Sequence, residues 1–427
     1  MTKQLFQEDA TLLAQRLARR EITAEAVLRS CLERIDEREP QVQAWEFLDR
    51  DAAIARARAL DAGPTLGLLH GVPVGVKDLF DTFDMPTTYG SPIYAAHRPR
   101  ADASSVALCR AQGALMVGKT VTTEFATFKP GKTRNPHRTT QTPGGSSSGS
   151  AAAVADFMVP LAFASQTAAS VIRPAAFCGV VGYKPSYGLI NRAGVKALSD
   201  PLDTIGFLAR SVDDIALFAA VSNGERAAPD LTATGTPHIA LCQTHEWPHA
   251  DEDTLAAFAH AHTALAKAAI PVSDLQLPLL FSQLLQVQKE IMAFDLARSL
   301  ADERLCNAAQ ISEGLTQLLS QGLQVPTERH RANLQLAASA RAMIPSVLGD
   351  ADALLVPSAV GEAPGAEQTG DPVFGRIWTL LGLPCIHLPF FQGCSGLPVG
   401  LQLIGRHGDD LALLRLARKL LPLLSAH

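Results

Sequence analysis

Apolar and polar residues follow two different periods along the chain, and the two periods predict where helices and strands lie. The first 60 residues have helical spacing, clearest in EITAEAVLRSCLERIDE, where Thr23 is the predicted N-cap; residues 2–60 are therefore predicted to be helices. From residue 66 to 220, short apolar runs alternate with helical patterns, as in GVPVGV (71–76), ALMVGK (114–119) and MVPLAFA (158–164). This alternation predicts an α/β fold with a central mixed, mostly parallel sheet flanked by helices.

The second half of the chain changes character and then returns to strands. After the strand-like run HIALCQ, the sequence becomes rich in Ala and Leu at helical spacing, which predicts a helical insertion over about 250–350. Three strand-like runs follow, namely ADALLVPSAV (351–360), PCIHLPFF (384–391) and LPVGLQLIG (397–405). Because no Pro/Gly-rich linker separates the parts, we expect residues 1–427 to form a single large domain whose C-terminal strands rejoin the first sheet.

Composition narrows the classes of function. The formal net charge is −5, with acids and bases mixed along the chain, so neither nucleic acid nor an anionic membrane is an expected partner. Seven scattered cysteines without a CxxC pair fit a reducing cytoplasm better than a disulfide framework. We also find no apolar stretch of transmembrane length and no apolar leader at the start. We therefore expect a soluble cytoplasmic protein.

The stretch TPGGSSSGSAAAVA, from Thr142 to Ala155, is the first candidate for chemistry. A flexible Gly/Ser linker is disfavoured because a helix-forming Ala run follows at once. A phosphate-binding Walker A loop would need a lysine that is missing. The GxSxG pattern would make Ser147 a hydrolase nucleophile, but the residues before it are polar and do not form the strand that such an elbow requires.

A second serine, Ser170, follows a strand pattern and two small residues, Ala168 and Ala169. The helix pattern after Ser146 and the strand pattern before Ser170 predict a parallel crossover. That crossover would bring both serines to one crevice at the carboxyl ends of the strands.

Lys77 ends the apolar run GVPVGV and completes the set. A lysine at a strand end often extends to the surface. A lysine buried beside two serines, however, can lose its proton near neutral pH and serve as a general base toward a hydroxyl.

At this point the sequence resembles the amidase signature family of serine amidohydrolases. The resemblance rests on GLLHGVPVGVKDLFDT, GALMVGKTVTTEFA, TPGGSSSGSAAAVA, SQTAASVIRPAAFCGVVGYKPSYG, WTLLGLP and GLPVGLQLIGR, which occur in the family's order. It covers residues 66–190 and about 350–420, and the best likeness is to the branch of malonamidase and biuret hydrolase.

The resemblance implies the family's fold and its Ser–cisSer–Lys triad. Carried over by position, the lysine is Lys77, the cis-bonded serine is Ser146 and the nucleophile is Ser170. The oxyanion hole would use the backbone N–H groups of Thr167, Ala168, Ala169 and Ser170.

Two departures from the family pattern matter. The family commonly has Gly-Gly where Ala168 and Ala169 stand, which would strain the loop if a positive φ were required. The family often has Asp in place of Gln166. In the malonamidase-like branch an arginine three residues after the nucleophile, here Arg173, meets a carboxylate or carbonyl of the substrate. Arg173 could equally satisfy loop carbonyls.

These observations predict hydrolysis of the C–N bond of a small polar amide through an acyl-enzyme, with no cofactor and no metal. No HExxH motif is present, and the histidines are poorly placed for a metal. Two alternatives stay open: a glutaminase subunit of a tRNA amidotransferase, for which the chain is short, and an inactive member that binds a small molecule. The sequence leaves open whether the chain is a monomer or a homodimer.

Overall fold

The computed structural model describes residues 4–233 and 235–426. In these ranges the helices lie on the two sides of one eleven-stranded sheet with the order β1-β3-β2-β4-β6-β5-β10-β11-β9-β7-β8. The strands are β1 Trp45–Leu48, β2 Pro73–Lys77, β3 Leu115–Thr120, β4 Leu161–Gln166, β5 Val181–Lys184, β6 Thr204–Ala209, β7 Ile239–Gln243, β8 Val272–Gln276, β9 Ala353–Pro357, β10 Cys385–Gln392 and β11 Pro398–Ile404.

Fourteen α-helices accompany these strands in the described ranges. They are α1 Ala10–Ala18, α2 Ala24–Val42, α3 Arg50–Ala62, α4 Ser104–Ala111, α5 Ser148–Ala155, α6 Ile172–Cys178, α7 Val212–Ser222, α8 Glu252–Lys267, α9 Leu284–Ser299, α10 Ala301–Cys306, α11 Glu313–Gln324, α12 Thr327–Leu348, α13 Val373–Leu380 and α14 Asp410–Leu424. The single α/β architecture with a large mixed sheet is confirmed.

The expectation of a mostly parallel sheet is wrong. Among the described strands, β2 is parallel to β3 and β4, and β7 is parallel to β8 and β9. The other six neighbouring pairs are antiparallel. The reason lies partly in the connections. A tight turn joins β10 to β11, and a long loop without an α-helix joins β5 to β6, whereas parallel strands need a crossover.

The strand that precedes Lys77 and the strand that precedes Ser170 are neighbours. All five residues of β2 and all six of β4 are buried, which explains why both segments are apolar along their length. α5 supplies the crossover between β3 and β4 on the same sheet, as predicted. The carboxyl ends of β2 and β4 therefore meet at one edge, where the serine loops lie.

Local signals explain most helix starts. The side chain of Thr23 accepts a hydrogen bond from Ala26 N, so the predicted N-cap of α2 is confirmed. The stretch predicted as N-terminal helices contains α1, α2 and α3 but also β1, which the periodicity did not indicate. The region predicted as a helical insertion contains α8 to α12 and the edge strand β8. None of the helices in the described ranges combines the length and the apolar character that crossing a bilayer requires.

Candidate active site

Lys77 is fully buried at the carboxyl end of β2, so it is not a lysine that extends to the surface. Its Nζ lies 2.8 Å from Ser146 Oγ and 2.8 Å from Ser165 Oγ. Burial disfavours the ammonium form and holds the pKa of Lys77 well below its ordinary value of 10.5, while the negative charge of Asp203 acts in the opposite direction. The lysine is therefore placed to accept a proton from a hydroxyl.

Ser146 lies in a tight loop between β3 and α5. The Gly145–Ser146 peptide bond is cis, and Gly144 has a φ of +80°. A Cβ at Gly144 would lie 2.9 Å from Pro174 Cα, so both the backbone conformation and the close packing favour glycine there. The Ser146 carbonyl accepts a hydrogen bond from Thr122 Oγ1 at 3.2 Å, which holds the loop against the chain that follows β3.

Ser147, the serine of the GxSxG pattern, occupies a different environment. It is fully buried, and its Oγ exchanges 3.4 Å hydrogen bonds with the backbone N–H and carbonyl of Ser165. Its hydroxyl ties the serine loop to the end of β4 and has no access to a substrate in this structure.

Ser170 lies in the short loop between β4 and α6. The four carbonyls of residues 167–170 each accept a hydrogen bond, whereas their N–H groups donate to no acceptor within the described chain. The donors to these carbonyls, in order, are Gln288 Nε2, Thr379 Oγ1, Arg173 N and Ser147 N. A loop held by its carbonyls with its N–H groups free is suited to bind an oxyanion.

Gln166 begins this loop and caps the helix after it. Its Oε1 accepts hydrogen bonds from Val171 N at 2.9 Å and Ile172 N at 3.1 Å, and its Nε2 donates to Thr379 Oγ1 at 2.9 Å. The amide thus satisfies N–H groups at the start of α6 without adding a negative charge.

Ala168 and Ala169 are compatible with the loop. Neither residue is among those with a positive φ, so the backbone does not require glycine at these positions. The Ala169 methyl occupies the place that a side chain at position 375 would need, since a Cβ on Gly375 would lie 2.6 Å from Ala169 Cβ. The glycine that accommodates the loop is therefore on α13.

The structure brings Lys77 and Ser146 into contact but joins Ser170 to them more loosely. Ser147 N donates to the Ser170 carbonyl at 3.4 Å, which places the two serine loops side by side. Among the described residues, the hydroxyls of Ser146 and Ser170 do not share a hydrogen bond. Their contact would have to form as the substrate binds, as is common for sites without substrate.

Arg173 is buried in the first turn of α6 and lines the cavity beside Ser170. Its Nη1 donates to the Gly370 carbonyl and its Nη2 donates to the Gly145 carbonyl at 2.7 Å, while its Nε has no partner in the part of the chain that the structure describes. Burial, reinforced by the nearby charge of Arg376, lowers the pKa of Arg173 to about 9. Arg173 therefore braces the peptide that precedes Ser146, and one buried donor remains free.

The cavity over Ser170 is small. Its volume is about 20 Å³, and its walls include Thr127, Phe128, Arg173 and Met292. Thr127 and Phe128 also line a second cavity of about 410 Å³, whose opposite wall is the first turns of α11. A thin wall therefore separates the nucleophile from a larger outer vestibule.

Several residues of this site have no local signal in the sequence. Ser165 is the second hydroxyl on Lys77, and the carboxylate of Asp203 accepts a hydrogen bond from Thr167 Oγ1 at 2.6 Å. Gln288, on α9, holds the Thr167 carbonyl and also accepts a hydrogen bond from Arg376 Nη1. These residues are distant in sequence, and only the folded chain brings them together.

One group of potential metal ligands occurs within the described ranges. It consists of Asp253, Glu362 and Cys394, and it includes none of the residues around Ser170.

A deeply buried lysine bonded to a serine, beside a second serine on a loop of free N–H groups, is the arrangement of an amide C–N hydrolase. The sequence profile of the amidase family matches residues 26–414. The chain belongs to the amidase signature family.

Curated relatives carry a narrower description, since all three compared with this chain are the A component of glutamyl-tRNA(Gln) amidotransferase. The protein of Nitratidesulfovibrio vulgaris is 34% identical over 95% of this chain and 96% of its own length. That of Chloroflexus aggregans is 32% identical over 93% of each chain. That of Acidothermus cellulolyticus is 45% identical, but over 55% of this chain and about half (48%) of its own length. The near-complete coverage of the first two removes chain length as an argument against that class.

Solved structures show the same fold. A protein described as an amidase superposes with a TM-score of 0.89 at 29% identity, covering 96% of this chain and 98% of that one. The peptide amidase of Stenotrophomonas maltophilia gives 0.83 at 27% identity, covering 97% and 96%. A chain from a vestigial complex linked to the origins of an s-triazine catabolic enzyme gives 0.88 at 25% identity, covering 97% and 98%.

Proposed function

We propose that this chain hydrolyses a small polar amide through a Ser–cisSer–Lys triad made of Lys77, Ser146 and Ser170. The observation that carries the proposal is the contact between buried Lys77 and Ser146 at 2.8 Å. An amine kept neutral by burial has a free lone pair, and its nearest proton source is the Ser146 hydroxyl.

The acylation step follows from this placement. Lys77 accepts the proton of Ser146, Ser146 accepts the proton of Ser170, and Ser170 Oγ attacks the amide carbonyl carbon. The carbonyl oxygen takes the electron pair and receives hydrogen bonds from free N–H groups of residues 167–170. Such donors typically contribute about 3 kcal/mol each to the tetrahedral state. When this state collapses, the C–N bond breaks and Ser146 returns a proton to the leaving nitrogen.

Deacylation repeats the relay with water. The same base removes a proton from a water molecule, the water oxygen attacks the acyl carbon, and Ser170 leaves with the proton returned through Ser146. The acyl product is a carboxylate, and the free enzyme is regenerated without a cofactor.

A second candidate function is the glutaminase activity of an amidotransferase. It is favoured by the names of the curated relatives, which describe a component of glutamyl-tRNA(Gln) amidotransferase. In that case the same serines would release ammonia from glutamine, and further chains of the complex would use it.

The experiment is ammonia release from a panel of amides by the purified chain. The panel contains malonamate, malonamide, biuret, simple aliphatic and aryl amides, and glutamine, with Ser170→Ala as the blank. Release from a small amide by the chain alone supports the proposal. Release from glutamine that depends on copurifying chains supports the second candidate. No release from any amide by the wild type contradicts both and favours the inactive, small-molecule-binding alternative.

A further inference from the structure

Two buried arginines lie side by side next to the candidate nucleophile. Arg173 is 2% exposed and Arg376 is 5% exposed. The acceptors that they use in the described chain are neutral: the carbonyls of Gly370 and Gly145 for Arg173, and the amide oxygen of Gln288 for Arg376. No carboxylate oxygen lies within 4.0 Å of either guanidinium among the described residues. Buried charges are normally paired, so this site lacks a counter-ion that the chain does not supply.

The two arginines differ in how many donors remain free. Arg173 has committed both Nη atoms to backbone carbonyls, and its remaining Nε is enclosed. Arg376 has committed Nη1 alone within the described chain, so Nη2 and Nε stay available as a fork that fits a planar carboxylate.

The position of Arg376 connects it to the substrate cavity. Its guanidinium carbon lies 5.8 Å from the centre of the Phe128 ring, and Phe128 forms part of the cavity wall beside Ser170. Through Gln288 it is also tied to the Thr167 carbonyl of the oxyanion loop. A carboxylate that displaced the Phe128 ring would meet Arg376 while the amide lay over Ser170.

We propose that Arg376 binds a carboxylate carried by the acyl part of the substrate, so that the enzyme selects anionic amides over neutral ones. The inference rests on the proposed amide hydrolysis and adds the charge class of its substrate. Arg173 contributes positive charge from behind and holds the Ser146 loop, which makes its own replacement costly for every substrate.

The test compares amides that differ in charge and hardly in size, namely malonamate against malonamide and succinamate against succinamide. The wild type is expected to prefer the anionic member of at least one pair. Arg376→Gln should lower kcat/KM for that anion by about 10- to 100-fold, the range for a hydrogen bond to a charged group, and leave the neutral partner within about 3-fold. Arg173→Ala should lower both members alike.

Arg341→Gln is the matched control. Arg341 donates to the carbonyls of Leu380 and Leu381 at the other end of α13, so its loss perturbs the same helix without removing a cation from the site. It should not change the preference for the anion. If Arg376→Gln folds poorly, Arg376→Lys, which keeps the charge, should retain part of the preference.

Binding gives a readout that does not depend on turnover. Malonate, measured by calorimetry against Ser170→Ala, should bind more weakly by a similar factor when Arg376→Gln is added. Equal losses for both members of each pair, or unchanged malonate binding, would overturn the role of Arg376. Turnover of neutral amides in that case would leave the proposed hydrolase function standing, whereas absence of all turnover would remove the hydrolase itself.

Discussion

Replacing Lys77 by methionine tests the proton relay most directly, because methionine keeps the volume and removes the amine. The variant loses the contacts of Nζ with Ser146 Oγ and Ser165 Oγ, both 2.8 Å long in the wild type. A general base typically contributes about 10²- to 10⁴-fold to the rate. We therefore expect kcat/KM to fall by at least about 100-fold. In the wild type, kcat/KM should rise with pH through the pKa of Lys77, which burial has placed well below 10.5.

The same variant has an expected stability profile. In the unfolded chain Lys77 is protonated below 10.5, whereas burial lowers its pKa in the folded chain. Between the two pKa values the unfolded state binds one more proton, so the free energy of unfolding of the wild type rises with pH by about 1.4 kcal/mol per pH unit. Methionine has no such dependence. The stability of Lys77→Met relative to the wild type should therefore be greatest at the low end of this range and decline toward the pKa of the unfolded chain.

Lys184→Met is the control for these measurements. Lys184 is also fully buried at a strand end, but its Nζ donates to the carbonyls of Pro185 at 2.9 Å and Leu383 at 2.6 Å. It should alter stability without abolishing turnover. Rate–pH profiles and pH-dependent denaturation of the three proteins give the answer. Near-normal turnover by Lys77→Met would refute the relay, and a pH-independent stability difference would refute the burial argument.

Three further predictions concern the serine loops. A fluorophosphonate should label Ser170, as peptide mapping by mass spectrometry would show, and an adduct on Ser147 would revive the GxSxG elbow. Ser165→Ala should leave a reduced but measurable rate and shift the pH–rate profile, because Lys77 loses one of its two hydroxyl neighbours; an unchanged profile would make Ser165 a spectator. Ala169→Gly should keep kcat within about 3-fold and lower stability by about 0.5–1 kcal/mol, because φ is already ordinary there. A large gain in kcat would instead show that the alanine impairs catalysis.

The sequence predicted the strands and the helix that carry the candidate triad because each has a strong local signal. β2 and β4 are buried along their whole length and therefore read as apolar runs. The Ala-rich stretch after Ser146 predicted α5. By contrast, β8 (VSDLQ) is a largely exposed edge strand without an apolar run, and β1 has four residues between two helices. Neither gave a pattern long enough to recognise.

Strand direction and the surroundings of the nucleophile could not be derived in the same way. Periodicity reports which face of a strand is buried, but it does not report which strand lies beside it, so the antiparallel pairing of β4 with β6 had no signature. Arg376 and Gln288 lie on helices more than 100 residues beyond Ser170 and belong to no motif. The contact of Lys77 with Ser165 depends on how β2 and β4 align, which is a property of the folded sheet.

The thin wall of Thr127 and Phe128 has a consequence for which nucleophile can release the acyl group. With the wall in place, about 20 Å³ remains over Ser170, which is room for about one water molecule. Larger acceptors such as alcohols or hydroxylamine would have to share the outer cavity of about 410 Å³ and wait for the ring to move. We therefore expect the acyl-enzyme to partition toward hydrolysis over acyl transfer. Shortening Phe128 to alanine should raise the yield of hydroxamate or ester at the expense of free acid.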